Sequence, residues 1–193
     1  MIETLKNWDT QLFLFLNGKH NAFWDFVMFW ASEKLIWIPL YILLFYLIFS
    51  YYKKNGWWII PAGIIMVALT DQLSVHAFKN IVMRLRPCHE PGLEGLVHLV
   101  KNKCGGDFGF VSSHAVNHFA IAGFFSVIFY KKIRFFIPAV MLWATLISYS
   151  RIYLGVHYPG DVICGGIVGL ITGYLFGRLS LFFVSKKSLN LKP

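Results

Sequence analysis

Charge is scarce in this chain, and acid scarcer than base. Of 193 residues only 14% are Asp, Glu, Lys or Arg, nine acidic against 18 basic. The three cysteines, Cys88, Cys104 and Cys164, follow no zinc-ligand spacing. No Walker, Rossmann or EF-hand pattern occurs, which removes the usual nucleotide and calcium sites. No cluster of Asp and Glu could hold a catalytic metal, so the chemistry is expected to need neither metal nor cofactor. Residues 1–32 carry acidic residues, have no compact apolar centre and show no small-residue cleavage site; no cleaved secretory leader is expected there.

What the chain has instead is apolar surface. Hydrophobic residues make up 57% and aromatics 18%, above the roughly 45–50% apolar content of a soluble domain. Several apolar runs approach or exceed the roughly 17–25 residues of a membrane-crossing helix, so the expected fold is all-α, a single-domain polytopic bundle of about five transmembrane helices. The spans are Leu35 to Tyr52, Trp57 to about Val75 with helix continuing towards Leu85, His114 to Tyr130, Phe135 to Tyr149, and Asp161 to Val184. Residues 34–184 form this core and 185–193 a basic tail. Residues 1–33 are amphipathic, and Asn17-Gly18-Lys19-His20-Asn21 suits no lipid-facing helix centre. Trp8, Trp24 and Trp30 suit the headgroup level. One or two interfacial helices are expected here, with a tilted or re-entrant first helix as the other reading.

The basic residues sort by side. Lys53, Lys54, Lys131, Lys132, Arg134, Lys186, Lys187 and Lys192 share one side with no acidic residue, which makes that side cytoplasmic. Every acidic residue except Asp71 falls on the other side. The basic excess is therefore topological, and nucleic acid is not an expected partner. The same assignment puts loop 76–113 and junction 150–160 together on the outer face, with Lys79, Arg84, Arg86, His114, Arg151, His157 and Asp161.

Polar groups beside hydrocarbon are costly and point to function. Pro159 suits the first turn of the last helix, where its missing N–H costs nothing. Asp161 then lies one turn past His157 and can accept the imidazole Nδ1–H, leaving Nε2 to attack. A steadying hydrogen bond is the plainer alternative. Lys79 and Arg86, seven apart, share a face if the second helix extends that far, and otherwise read as interfacial anchors. Arg84 falls off that face and reads as a headgroup or solvent contact. Ser112 and Ser113 open a helix whose N-terminal N–H groups suit phosphate, with His114 placed to give a proton to a leaving oxygen. Simple capping is the alternative there.

Taken together, Lys79 with Arg86-Pro87, Ser112-Ser113-His114, and Ser150-Arg151 with His157 and Asp161 resemble the three signature motifs of the type 2 phosphatidic acid phosphatase family, which includes vanadium haloperoxidases. The resemblance covers roughly residues 60–180. It implies a phosphohistidine at His157 oriented by Asp161, His114 as general acid, and Lys79, Arg86, Arg151, Ser112 and the Ser113 N–H on the phosphoryl oxygens. Val111 and Ser113 stand where the family usually has proline and glycine, and the Ser113 Cβ is expected to narrow the phosphate cradle.

The expected function is a membrane lipid phosphatase working at the extracytoplasmic face of a bacterial inner membrane. Undecaprenyl diphosphate is the leading substrate, and phosphatidylglycerophosphate, phosphatidic acid and lipid A phosphates are the alternatives. A vanadate-dependent haloperoxidase and a non-enzymatic anion- or lipid-binding membrane protein are the more distant readings. Gly165, Gly169, Gly173 and Gly177 form a close-packing seam, for the bundle or for a second copy. Cys88 and Cys104 flank the outer loop, where either a disulfide or two free thiols fits. Asp71 and Gln72 sit late in the second helix, where polar groups inside the bundle could pair with them, and the sequence assigns neither a partner. His20, His76, His89, His98 and His118 show no partner and read as surface or interfacial residues.

Overall fold

The computed structural model describes residues 2–189. Helix α1 (Ile2–Asn17) and helix α2 (Ala22–Ser32) come first. Asn21 starts α2 by accepting the Trp24 N–H on its side-chain oxygen at 2.9 Å. Trp8, Phe15, Phe23, Phe26 and Trp30 are exposed, while Phe13 is buried edge-on to Tyr158. Asn17 is fully buried. Its amide donates to the carbonyls of Tyr153 (2.8 Å) and His98 (3.0 Å), and its Oδ1 accepts the His98 N–H at 2.8 Å. The residue least suited to lipid is thus a latch for the amino-terminal hairpin.

A single 3₁₀ turn (Lys34–Trp37) leads into α3 (Ile38–Tyr52), and another (Lys53–Trp58) into α4 (Ile59–Leu73). Past Leu73 the helix widens into π-type turns over Ser74–Lys79, runs on as α5 (Asn80–Val82), and stops at Met83, whose φ of 48° is left-handed. The expected helix to Leu85 is therefore too long. The chain from Arg84 is extended: the Arg86 N–H donates to the Asp107 carbonyl and the Gly109 N–H to that of Arg84, with Leu85 opposite Phe108.

Helices α6 (Ser113–Ile128), α7 (Phe136–Tyr153) and α8 (Pro159–Leu189) complete the bundle. Helix α8 has 31 residues and is about 46 Å long at 1.5 Å per residue. Three stretches are long and apolar enough to cross a membrane, Lys34–Val82 (from the turn before α3 to the end of α5), Phe136–Tyr153 and Pro159–Lys187; α6 is a shorter apolar helix. Phe124, Ile128, Phe136, Trp143 and Ile147 pack with Leu44, Ile59 and Met66 in the main core.

The glycine seam faces α6. A Cβ at Gly169 would strike the Val116 carbonyl, and one at Gly173 the Ala120 carbonyl, so only glycine lets these backbones approach so closely. That face of α8 is filled, which removes the reading of a second copy docking on it. At one end of the bundle Lys187 lies over Trp58 (4.4 Å) and Lys132 over Tyr52 (4.7 Å). The basic turns thus gather opposite the end that holds His157; Lys192 lies outside the described residues.

Candidate active site

Helix α7 ends in a reversal that folds the chain back onto the helix's own last turn. Gly155 has a φ of 79°, and a Cβ there would lie 2.6 Å from the His98 carbonyl. The reversal brings the N–H groups of Val156 and His157 back to the Arg151 carbonyl at 3.1 and 3.3 Å. Arg151 and His157 are neighbours for that reason. Pro159 then opens α8 and puts Asp161 in its first turn, as the sequence predicts.

His157 and Asp161 are buried, at 2% and 0% exposure. Nδ1 of the imidazole faces Asp161 Oδ2 at 3.4 Å, a long contact, and the same oxygen accepts the Tyr158 N–H at 3.0 Å. Burial, then the charges of Arg86, Arg151 and Lys79, push the His157 pKa well below that of an ordinary histidine. The ring is therefore neutral at physiological pH, with Nε2 as the remaining nucleophilic nitrogen.

All three expected cations converge on this imidazole, but not by one helical face. Lys79 comes from the π-type turns, where its Nζ donates to Ser113 Oγ at 2.8 Å, and Ser113 Oγ also pairs with Ser74 Oγ at 2.7 Å. Arg86 comes from the extended segment, where its Nη1 donates to the Cys104 carbonyl at 3.3 Å. Arg151 Nη1 donates to Ser32 Oγ of α2. The Nε atoms of Arg86 and Arg151 are buried and have no hydrogen-bond partner among the described residues. Leaving a buried charged donor unpaired costs several kcal/mol at the upper end, so two in one site describe a place for an oxyanion.

Ser112 has a structural task as well. Its Oγ accepts the Ala115 N–H at 3.5 Å as the α6 cap, and its own N–H donates to the Asp161 carbonyl at 3.1 Å. It ties α6 to the start of α8, and its O–H remains a donor. His114 and Arg151 line a cavity of about 480 Å³ that continues past Ser32 and Cys104 to Lys34 and Lys103. Lys34 also lines an apolar groove of about 640 Å³ between α3, α4 and α6.

Arg84 corrects the sequence reading most. In extended backbone, residues two apart share a side, so Arg84 accompanies Arg86 into the site. Its Nη1 lies 3.0 Å from Asp161 Oδ1 and 2.7 Å from Asp9 Oδ2 of α1, with the guanidinium 3.8 Å over the Tyr158 ring. Gly109 carries no signal in the sequence either; a Cβ there would stand 3.1 Å from Asp161 Oδ2 and 3.5 Å from His157 Nδ1. Cys88 and Cys104 form a disulfide. With His89 they are the one grouping with metal-ligand potential among the described residues, and the disulfide occupies both sulfurs.

The isolated histidines also find company. His98 stacks on His20 at 3.6 Å and bonds Asp25 through Nε2 at 2.9 Å, while His118 Nδ1–H donates to the His114 carbonyl at 2.8 Å. Asp71 accepts from Asn117 Nδ2 at 3.2 Å, and this pair is exposed rather than enclosed in the bundle.

The sequence profile of the PAP2 superfamily matches residues 56–184. A lipid A 4'-phosphatase of Bacteroides thetaiotaomicron is 40% identical over 192 residues, covering 97% of this chain and 81% of that protein. A lipid A 4'-phosphatase of Porphyromonas gingivalis is 36% identical, covering 92% and 75%. The crystal structure of Aquifex aeolicus LpxE superposes with a TM-score of 0.61 at 25% identity, covering 88% of this chain and 94% of that one.

Proposed function

The chain belongs to the PAP2 superfamily, and from that premise we propose that this membrane lipid phosphatase removes a phosphate from lipid A, with His157 as nucleophile, at the extracytoplasmic face of the inner membrane. The observation that carries the phosphate chemistry is the pair of buried, unpartnered Nε donors of Arg86 and Arg151 beside the neutral His157. Nε2 of His157 attacks phosphorus and the bond from phosphorus to the lipid oxygen breaks. His114, on the same cavity wall as Arg151, gives that oxygen its proton. Water then attacks the phosphohistidine, passing a proton to His114 as the N–P bond breaks and phosphate leaves. Arg86, Arg151 and Lys79 carry the transition-state charge that a metal would otherwise carry.

Undecaprenyl diphosphate, the substrate expected from sequence, yields to lipid A because two similar proteins covering most of the chain bear that name. The cavities suit a large anionic lipid: a polar one holding His114 and Arg151 for the headgroup, and an apolar groove for acyl chain, both lined by Lys34. Outward orientation is supported by the basic turns at the opposite end of the bundle. Phosphate release by purified protein from lipid A, undecaprenyl diphosphate, phosphatidylglycerophosphate and phosphatidic acid, each with and without EDTA, tests the reading. Lipid A should be preferred and EDTA without effect. Faster turnover of undecaprenyl diphosphate would overturn the substrate, and loss of activity in EDTA would overturn the metal-free mechanism.

A further inference from the structure

Beyond the expected triad of groups, a chain of charge leads from the amino-terminal helix to the nucleophile. Asp161 has no exposure, so a carboxylate there needs a cation beside it. Arg84 is the cation that pairs with it, its Nη1 donating a hydrogen bond to Asp161 Oδ1 at 3.0 Å, and Asp9 Oδ2 competes for the same nitrogen through an ion-pair contact at 2.7 Å. The guanidinium cannot swing freely, because it sits over the Tyr158 ring, 3.8 Å from its centroid. The other oxygen of Asp9, Oδ1, accepts the Gly160 N–H at 2.7 Å, one residue before Asp161. Asp9 therefore grips both Arg84 and the backbone of the first turn of α8. It lies outside residues 56–184, the part matched by the family profile.

We propose that Asp9 and Arg84 are positioning residues for phosphoryl transfer: Asp9 draws Arg84 away from full pairing with Asp161, so that Asp161 stays able to hold the His157 Nδ1–H as the ring becomes phosphorylated. As Nε2 takes the phosphoryl group, positive charge grows on the imidazole, and the carboxylate at Nδ1 must answer it. A carboxylate fully neutralised by arginine answers weakly. A carboxylate sharing that arginine with a second acid answers better. In the unphosphorylated protein the contact from His157 to Asp161 is long, while Asp161 is held by Arg84 at Oδ1 and by the Tyr158 N–H at Oδ2.

Asp9→Asn is the informative variant. Its single carbonyl can serve Gly160 or face Arg84, not both, and its amide opposes whichever donor remains. This inference rests on the phosphohistidine reading, so the experiment follows that intermediate directly. Wild type, Asp9→Asn, Asp9→Glu and Arg84→Lys are mixed with whichever of the four lipids wild type turns over fastest, labelled with ³²P, and quenched under alkali-stable conditions. Thermal unfolding of each variant in detergent gives its folded fraction. Asp9→Asn should slow phosphohistidine formation about ten- to a hundredfold, by analogy with the loss of the outer partners that orient metal-bound histidines, with KM within about twofold of wild type. Asp9→Glu should recover part of the rate. Wild-type rates in Asp9→Asn, or a loss no larger than its folded fraction explains, would overturn the proposal. A wild type that forms no phosphohistidine sinks the parent reading instead.

Discussion

At the scale of single residues, the site is a set of donors that wait for an anion around one imidazole kept neutral by its surroundings. His157→Ala should form no phosphoenzyme. His114→Ala should lower kcat by about 10²–10⁴, the usual worth of general acid–base catalysis, while phosphohistidine still forms with substrates whose leaving group needs no proton. The depressed pKa of His157 has a sign that can be checked. As pH falls below 6.5, an unfolded chain takes a proton on this imidazole and the folded one does not, so the buried ring costs stability towards acid and contributes nothing above pH 7. Ring ¹⁵N shifts should show His157 neutral at pH 6; a titration midpoint near the ordinary value of 6.5 would contradict the convergence of Arg86, Arg151 and Lys79. Most of these residues could be read from spacing alone, because His157 and Asp161 lie one helical turn apart and Pro159 marks where that helix starts. Arg84 could not. Its role depends on the backbone being extended rather than helical after Met83, and a single left-handed residue decides that.

At the scale of elements, the bundle was legible because its apolar runs and glycine period are long signals, whereas α1 and α2 were ambiguous because amphipathic stretches do not say what they pack on. Asn17 and His98 show why: each looks stranded in the sequence, and each is satisfied only by groups far along the chain. The seam between α6 and α8 should be intolerant of size. Gly173→Leu drives a side chain into the Ala120 carbonyl, and overpacking of this kind costs about 1–3 kcal/mol or more, read as a lower unfolding midpoint in detergent. The loop before α6 should depend on its crosslink. Cys88→Ser with Cys104→Ser opens a connection of 16 residues, worth about 3 kcal/mol on loop entropy. Activity should fall with it, because the Cys104 carbonyl is a hydrogen-bond acceptor of Arg86.

For the whole molecule, the basic turns and the histidine site occupy opposite ends. In cells, a cysteine replacing Gly92, which has open space around it, should react with an impermeant maleimide added from outside. One replacing Lys131, an exposed residue at the basic end, should react only after the membrane is opened; the reverse pattern would invert the topology. The buried Asn17 and the bridging Asp9 tie the amino-terminal hairpin to the end of α7, to Arg84 and to the start of α8. Chimaeras built by exchanging that hairpin between relatives should therefore insert normally yet turn over poorly, unless positions 9 and 84 travel as a matched set.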